Sequence, residues 1–140
     1  MNHFRYFLIF LLAVNILNGQ EQKTIEIIQA GKSIRNSIEY PGANILKKDN
    51  DLRVILFHDG AKIESDLSYY YFNENSFNAS GKVNFNQGDS LVLTSDYLEY
   101  DGTSKQAFAY GNVKLTRPDM KLETDTLYLD RIKNIAFYNS

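Results

Sequence analysis

Cysteine is absent from the 140 residues, which excludes disulfide stapling, thiol catalysis and the anchoring cysteine of a bacterial lipoprotein. Histidine is almost absent as well. His3 lies near the start and His58 stands alone, so neither a histidine-based catalytic group nor a metal site can be assembled from them. No serine sits in a nucleophile-elbow context. Basic residues are not in excess either: 15 Lys and Arg against 17 Asp and Glu leave a formal charge of −2, which gives no reason to expect nucleic acid. Helical periodicity is missing beyond the first residues, apart from a short helical turn expected around Glu21 to Ile28. A comfortable membrane span is missing too, because the apolar stretch Phe7 to Val14, continued by Ile16 and Leu17, falls short of roughly 20 residues.

That stretch follows Arg5 and ends near the small Gly19, the layout of a secretory signal peptide. Residues 1–19 are therefore expected to be a cleaved signal and 20–140 an exported domain. Without disulfides, such a domain must be held by its sheet and a modest core.

What the sequence has is a repeat, read as three aligned segments: Val54 to Asp66, Val83 to Asp96 and Val113 to Asp125. Each runs as an alternating strand, a polar turn, a second alternating strand, then Ser or Thr followed by Asp. The aspartates fall at 66, 96 and 125, spaced by 30 and 29. A further strand follows each, Leu67 to Phe72, Tyr97 to Tyr100 and Thr126 to Leu129, and Ile135 to Tyr138 opens a fourth copy that is expected to be incomplete at the C-terminus. Repeats of this length, built only from short strands, predict an all-β protein: a barrel, a sandwich or an elongated roll.

Strands with one wet face alternate with period 2. The strand phases assign Leu56, Ile63, Val83, Phe85, Leu91, Leu93, Leu98, Tyr100, Val113, Leu115, Leu122, Leu127 and Leu129 to the interior. The inward parity changes from odd at Leu91 and Leu93 to even at Leu98 and Tyr100, which predicts a bulge or corner between them. Asp66, Asp96 and Asp125 are read as the structural residues of those corners, since an Asp side chain accepts hydrogen bonds from nearby backbone N–H groups. Gly60, Gly88 and Gly102 mark turns. Gly81 and Gly111 lie within long strands, where a bulge or a close backbone approach is expected.

The motifs Tyr110-Gly-Asn-Val-Lys-Leu115, Ser95-Asp-Tyr-Leu-Glu-Tyr-Asp101 and Thr124-Asp-Thr-Leu-Tyr-Leu-Asp130 resemble the OstA-like family. That group comprises the periplasmic lipopolysaccharide-transport bridge protein and the N-terminal domain of the outer-membrane translocon. The run Ser68 to Tyr71, then Asn75 to Phe77, is similar to the Bacteroidetes-type version. The resemblance covers about residues 25 to 138 and implies an elongated, open, V-shaped β-jellyroll in the periplasm, associated with the outer membrane. It implies that the apolar interior is a groove for the acyl chains of lipopolysaccharide, and that related β-jellyrolls pair with it edge to edge. From the residues themselves no cofactor, no metal and no catalysis are expected, Asp66, Asp96 and Asp125 being read as structural rather than as metal ligands. Two departures stand out: Ser68 occupies the inward position of Leu98 and Leu127, and Gly81-Lys82 stands where the next copy has Gly111-Asn112.

Two other readings come from the residues. Paired carboxylates could serve glycoside hydrolysis, but here the acids recur in turns and on polar faces, where solvation accounts for them. Ten tyrosines and nine phenylalanines, with a cluster at Tyr69, Tyr70 and Tyr71, could instead furnish a saccharide-binding or adhesive module of the envelope.

Overall fold

The computed structural model describes residues 22–139; the expected signal peptide lies outside them. Alternating apolar residues there form eleven strands and no helix. In chain order these are β1 Glu26–Gln29, β2 Lys32–Ile34, β3 Ala43–Lys47, β4 Val54–His58, β5 Ala61–Ser65 and β6 Leu67–Tyr71. Four long strands follow, β7 Ser76–Gln87, β8 Leu91–Asp101, β9 Gln106–Arg117 and β10 Met120–Asp130, and then β11 Ile135–Asn139. All pair antiparallel in one continuous sheet that does not close on itself.

The long strands bend in the middle, and the register shows where. β7 and β8 run in step from Ser76↔Asp101 to Ser80↔Tyr97, lose step, and resume at Val83↔Ser95. The same break separates Thr94 from Tyr97 between β8 and β9, and Thr124 from Thr126 between β9 and β10. The corner predicted from the parity change therefore recurs in every long strand. It folds the sheet into two arms that face each other across one core. One arm holds β1, β4, β5 and residues 83–87, 91–95, 113–117 and 120–124. The other holds β2, β3, β6, residues 76–80, 97–101, 106–110 and 126–130, and β11.

Glycine makes the corner possible. Gly81 and Gly111 have φ of 80° and 78°, and the residues after them, Lys82 and Asn112, are also left-handed at 46° and 49°. A Cβ on Gly81 would lie 2.7 Å from the Cβ of Asp66, and one on Gly111 would lie 3.0 Å from that of Asp96. Gly31 stands against Asp49 in the same way, with only 2.6 Å to its Cβ. A file of Gly–Asp contacts thus runs along the closed spine of the V.

The helical turn expected around Glu21 to Ile28 does not form. Residues 26–29 are strand β1, paired antiparallel with β4 through Ile27↔Leu56. The β-branched run Thr24-Ile-Glu-Ile-Ile28 favours extended backbone, and the free edge of β4 supplies the hydrogen bonds a lone turn would lack. β2 and β3 lie outside the repeat. β3 is recruited by β6, with Leu46 opposite Ser68 and Asn44 opposite Tyr70.

Candidate functional site

The interior is organised as rows of side chains that cross the strands. In the first arm Leu56, Ile63, Phe85, Leu93, Leu115 and Leu122 stand opposite one another in succession. At about 4.8 Å per strand, that row makes an apolar rail roughly 24 Å long. In the second arm Ser68, Ala79, Leu98, Ala109, Leu127 and Tyr138 form one row. Tyr70, Phe77, Tyr100, Ala107, Leu129 and Ala136 form the next. Ala109, Ala107 and Ala136 stand opposite leucines or Tyr100 across neighbouring strands, whereas Tyr70, Phe77 and Tyr100 stand large against large.

Twelve of the thirteen residues assigned to the interior are buried: Leu56, Ile63, Val83, Phe85, Leu91, Leu93, Leu98, Tyr100, Val113, Leu115, Leu127 and Leu129. Leu122 is half-buried, packed against the edge of the core. The core also takes in residues that the strand phases do not assign to the interior, among them Ile25, Leu46, Tyr70 and Phe77. Burial relaxes toward β11. Tyr138 belongs to an inward row but is 54% exposed, and Met120 is 40% exposed. The apolar interior therefore comes to the surface at this end of the sheet.

Asp66, Asp96 and Asp125 occupy the register breaks. Arg53 Nε donates to Asp66 Oδ1 at 3.2 Å, and its Nη2 donates to the carbonyls of Gly81 and Lys82 at 3.0 and 2.6 Å. Asn112 Nδ2 donates to Asp96 Oδ2 at 2.8 Å. Asp125 is exposed and has no glycine against it among the described residues. Those residues also bring together no group of acidic or histidine side chains able to hold a metal ion.

The two free margins of the V, its lips, carry the polar residues that sequence reading passed over. His58 ends β4, faces inward in step with Val54 and Leu56, and is buried. Its Nδ1 lies 2.7 Å from Tyr100 Oη on the opposite arm, and its Nε2 lies 3.1 Å from the carbonyl of Lys23. A neutral ring that accepts from the Tyr100 hydroxyl and donates through Nε2 to that carbonyl satisfies both nitrogens. Burial pushes the His58 pKa down and that of Tyr100 up. Arg131, in the β10–β11 turn, donates to Tyr100 Oη at 2.9 Å and reaches across to Gln87 and the backbone of His58 and Asp59. Asp59 accepts from Lys105 and Lys23, which hold its carboxyl far below the usual carboxylate range. The inward phase of His58 was the available signal; nothing in the repeat marks Arg131.

The tyrosine cluster is not a flat exposed platform. Tyr70 is buried, and its hydroxyl donates to the Ile25 carbonyl at 2.9 Å. Tyr69 and Tyr71 are half-buried, and Tyr69 packs on Tyr40 with ring centroids 4.8 Å apart. The outer face of the second arm instead carries a ladder of rings, Tyr97 on Tyr110, Tyr110 on Phe108, Phe108 on Tyr128, at 4.8, 5.2 and 4.4 Å. Tyr97 with Tyr110 and Phe108 with Tyr128 are cross-strand pairs, and Phe108 and Tyr110, two residues apart on β9, link them.

No curated protein matches this chain. Among solved structures it is similar to LptH of Pseudomonas aeruginosa, described as the LptA-homologous periplasmic component of the conserved lipopolysaccharide transport device. The TM-score is 0.70 at 13% identity, with 84% of this chain and 82% of that chain covered. At that identity the likeness establishes the shared fold, an open β-jellyroll. The family model for OstA-like proteins matches residues 22–140, so the chain belongs to the OstA-like family.

Proposed function

We propose that this protein binds lipopolysaccharide and passes it across the periplasm toward the outer membrane, without catalysis. The acyl chains lie between the arms of the V, along the row from Leu56 to Leu122 and the facing row through Leu98 and Leu127. Membership of the OstA-like family and the fold shared with LptH support this reading. The observation that carries it is the interior itself. Its apolar rows run unbroken across successive strands and reach the surface at the β11 end, where Leu122 is half-buried and Tyr138 is open. Each CH₂ of an acyl chain moved from water into such a row gains about 0.8 kcal/mol, so a continuous apolar track can replace the membrane for a lipid in transit. Val83, Phe85, Leu91, Leu93, Tyr100, Val113, Leu115 and Leu129 complete the groove, and Asp66, Asp96 and Asp125 hold the corners that set its angle.

The edge of β11 that pairs with no strand among the described residues is the natural place for a related β-jellyroll to add its own strand, which would align the two interiors. The expected division into a signal over 1–19 and a jellyroll over 20–140 belongs to the same proposal, because export delivers the domain to the compartment where this lipid travels.

Photo-crosslinking residues at positions 98 and 115 should label with lipopolysaccharide in active envelopes, and position 114, on the polar face, should not. Equal labelling at all three positions, or none at any, would sink the groove. Crosslinkers at Tyr128 and Phe137 should capture a neighbouring jellyroll; capture of nothing would remove the edge-pairing part alone.

A further inference from the structure

The lips of the V are joined by charge rather than by packing alone. Arg131 projects from one lip over the interior, its guanidinium carbon 5.6 Å from the centre of the Phe85 ring. Its four hydrogen-bond acceptors are Gln87 Oε1 at 2.9 Å, Tyr100 Oη at 2.9 Å, and the His58 and Asp59 carbonyls at 3.2 and 2.6 Å. All four are uncharged, and a guanidinium offers five N–H groups, so Arg131 is half-buried with its charge unbalanced and one donor to spare. Beside it Lys105, from the same lip, and Lys23, from the segment before β1, share the single carboxylate of Asp59 on the other lip. These four residues line one side of a cavity of about 800 Å³. Three cations and one anion therefore surround an open space on a protein whose overall charge is −2.

We propose that Lys23, Lys105 and Arg131 are the docking site for a phosphate monoester on the headgroup of the acylated ligand, and that this phosphate displaces Asp59 as their counter-ion. The inference rests on the reading that acyl chains occupy the interior. A phosphate carries nearly two negative charges and three acceptor oxygens, and it can accept the spare N–H of Arg131 and the two lysine ammonium groups as charge-assisted hydrogen bonds. It therefore balances this cluster better than one carboxylate does. The cavity volume falls within the usual range for a small-molecule site and accommodates a phosphorylated sugar ring. Because Lys105–Asp59 is a contact between the lips, taking Lys105 away from Asp59 loosens the closure at the moment the ligand arrives. A headgroup held there leaves the acyl chains directed past Phe85 into the apolar rows and the saccharide in water.

The test measures binding of the purified protein to bis-phosphorylated lipid A in detergent, to the same lipid stripped of both phosphates, and to inorganic phosphate. The wild type should prefer the phosphorylated lipid by about tenfold at low salt, the size expected of charge-assisted hydrogen bonds. Lys23→Ala with Lys105→Ala should abolish that preference and leave binding of the stripped lipid unchanged. Asp59→Asn should strengthen binding of the phosphorylated lipid, an opposite sign that a merely damaged fold cannot produce. Equal affinity for both lipids in all three proteins would overturn the phosphate site and leave the groove standing. Inorganic phosphate bound as tightly as the phosphorylated lipid would overturn the headgroup assignment in favour of a free-phosphate site. Binding of neither lipid would overturn the groove and this site together.

Discussion

Gly111 lies so close to Asp96 that a Cβ added to the glycine would sit 2.8 Å from Oδ2 and 3.0 Å from the Cβ of the aspartate. The same contact recurs between Gly81 and Asp66 one copy earlier. This relationship explains why a repeat of about thirty residues carries a glycine and an aspartate at fixed places. The two long strands can turn the corner together only if one of them has no side chain there. Gly111→Ala should therefore cost about 2–3 kcal/mol, combining left-handed strain with overpacking against Asp96. Denaturant unfolding of the purified variant measures it, and a loss below about 0.5 kcal/mol, the range of an ordinary surface substitution, would mean the corner tolerates a side chain.

Lys82 and Asn112 occupy equivalent left-handed positions after those glycines, with φ of 46° and 49°. Asparagine tolerates this conformation better than lysine does. Lys82→Asn should stabilise the protein by about 0.5 kcal/mol, read as a raised midpoint with an unchanged denaturant slope.

Ser68 is fully buried in a row whose later members are Leu98 and Leu127, and its hydroxyl has no hydrogen-bond partner. Ser68→Ala removes that unsatisfied group while leaving the backbone unchanged. It should stabilise by about 1 kcal/mol. A destabilised alanine variant would show that the hydroxyl has a partner in solution.

His58 should make stability depend on pH. Burial lowers its pKa below the unfolded value of 6.5, so between the two values the unfolded chain binds more protons than the folded one. The contribution is fully present above pH 6.5 and is lost as pH falls through the folded pKa. Asp59 is depressed as well, because Lys105 and Lys23 hydrogen-bond to it, and its contribution disappears only below the ordinary carboxylate range. Melting temperatures of the wild type and His58→Gln, compared from pH 7.5 to 4.5, should converge as the pH falls. A constant gap would show that His58 titrates alike in the folded and unfolded states, so that burial does not shift it.

The parity of apolar residues determined much of this molecule by itself. Strand faces follow directly from period 2, so Leu93 and Leu98 could be assigned to the same interior although their numbers differ in parity. That difference also located the corner at Ser95-Asp96, because only a bend lets both halves of β8 face one core. Gly81 and Gly111 were legible as bulges for a similar local reason: a glycine inside an alternating strand carries no side chain to pack. None of this required a partner strand to be named.

The tertiary structure decided what depends on residues far apart in the chain. The segment around Glu26 became a strand because the edge of β4 was vacant, a fact of topology that no local propensity contains. His58 looked isolated in sequence and became part of a buried network only when the fold brought Tyr100 and the carbonyl of Lys23 to its two nitrogens. Arg131 is separated from His58 and Asp59 by more than seventy positions, and no repeat or period links them. Its place on the opposite lip follows from how far each arm extends beyond the corner. Local pattern fixes which way a side chain points; the bend and the pairing order fix what it meets there.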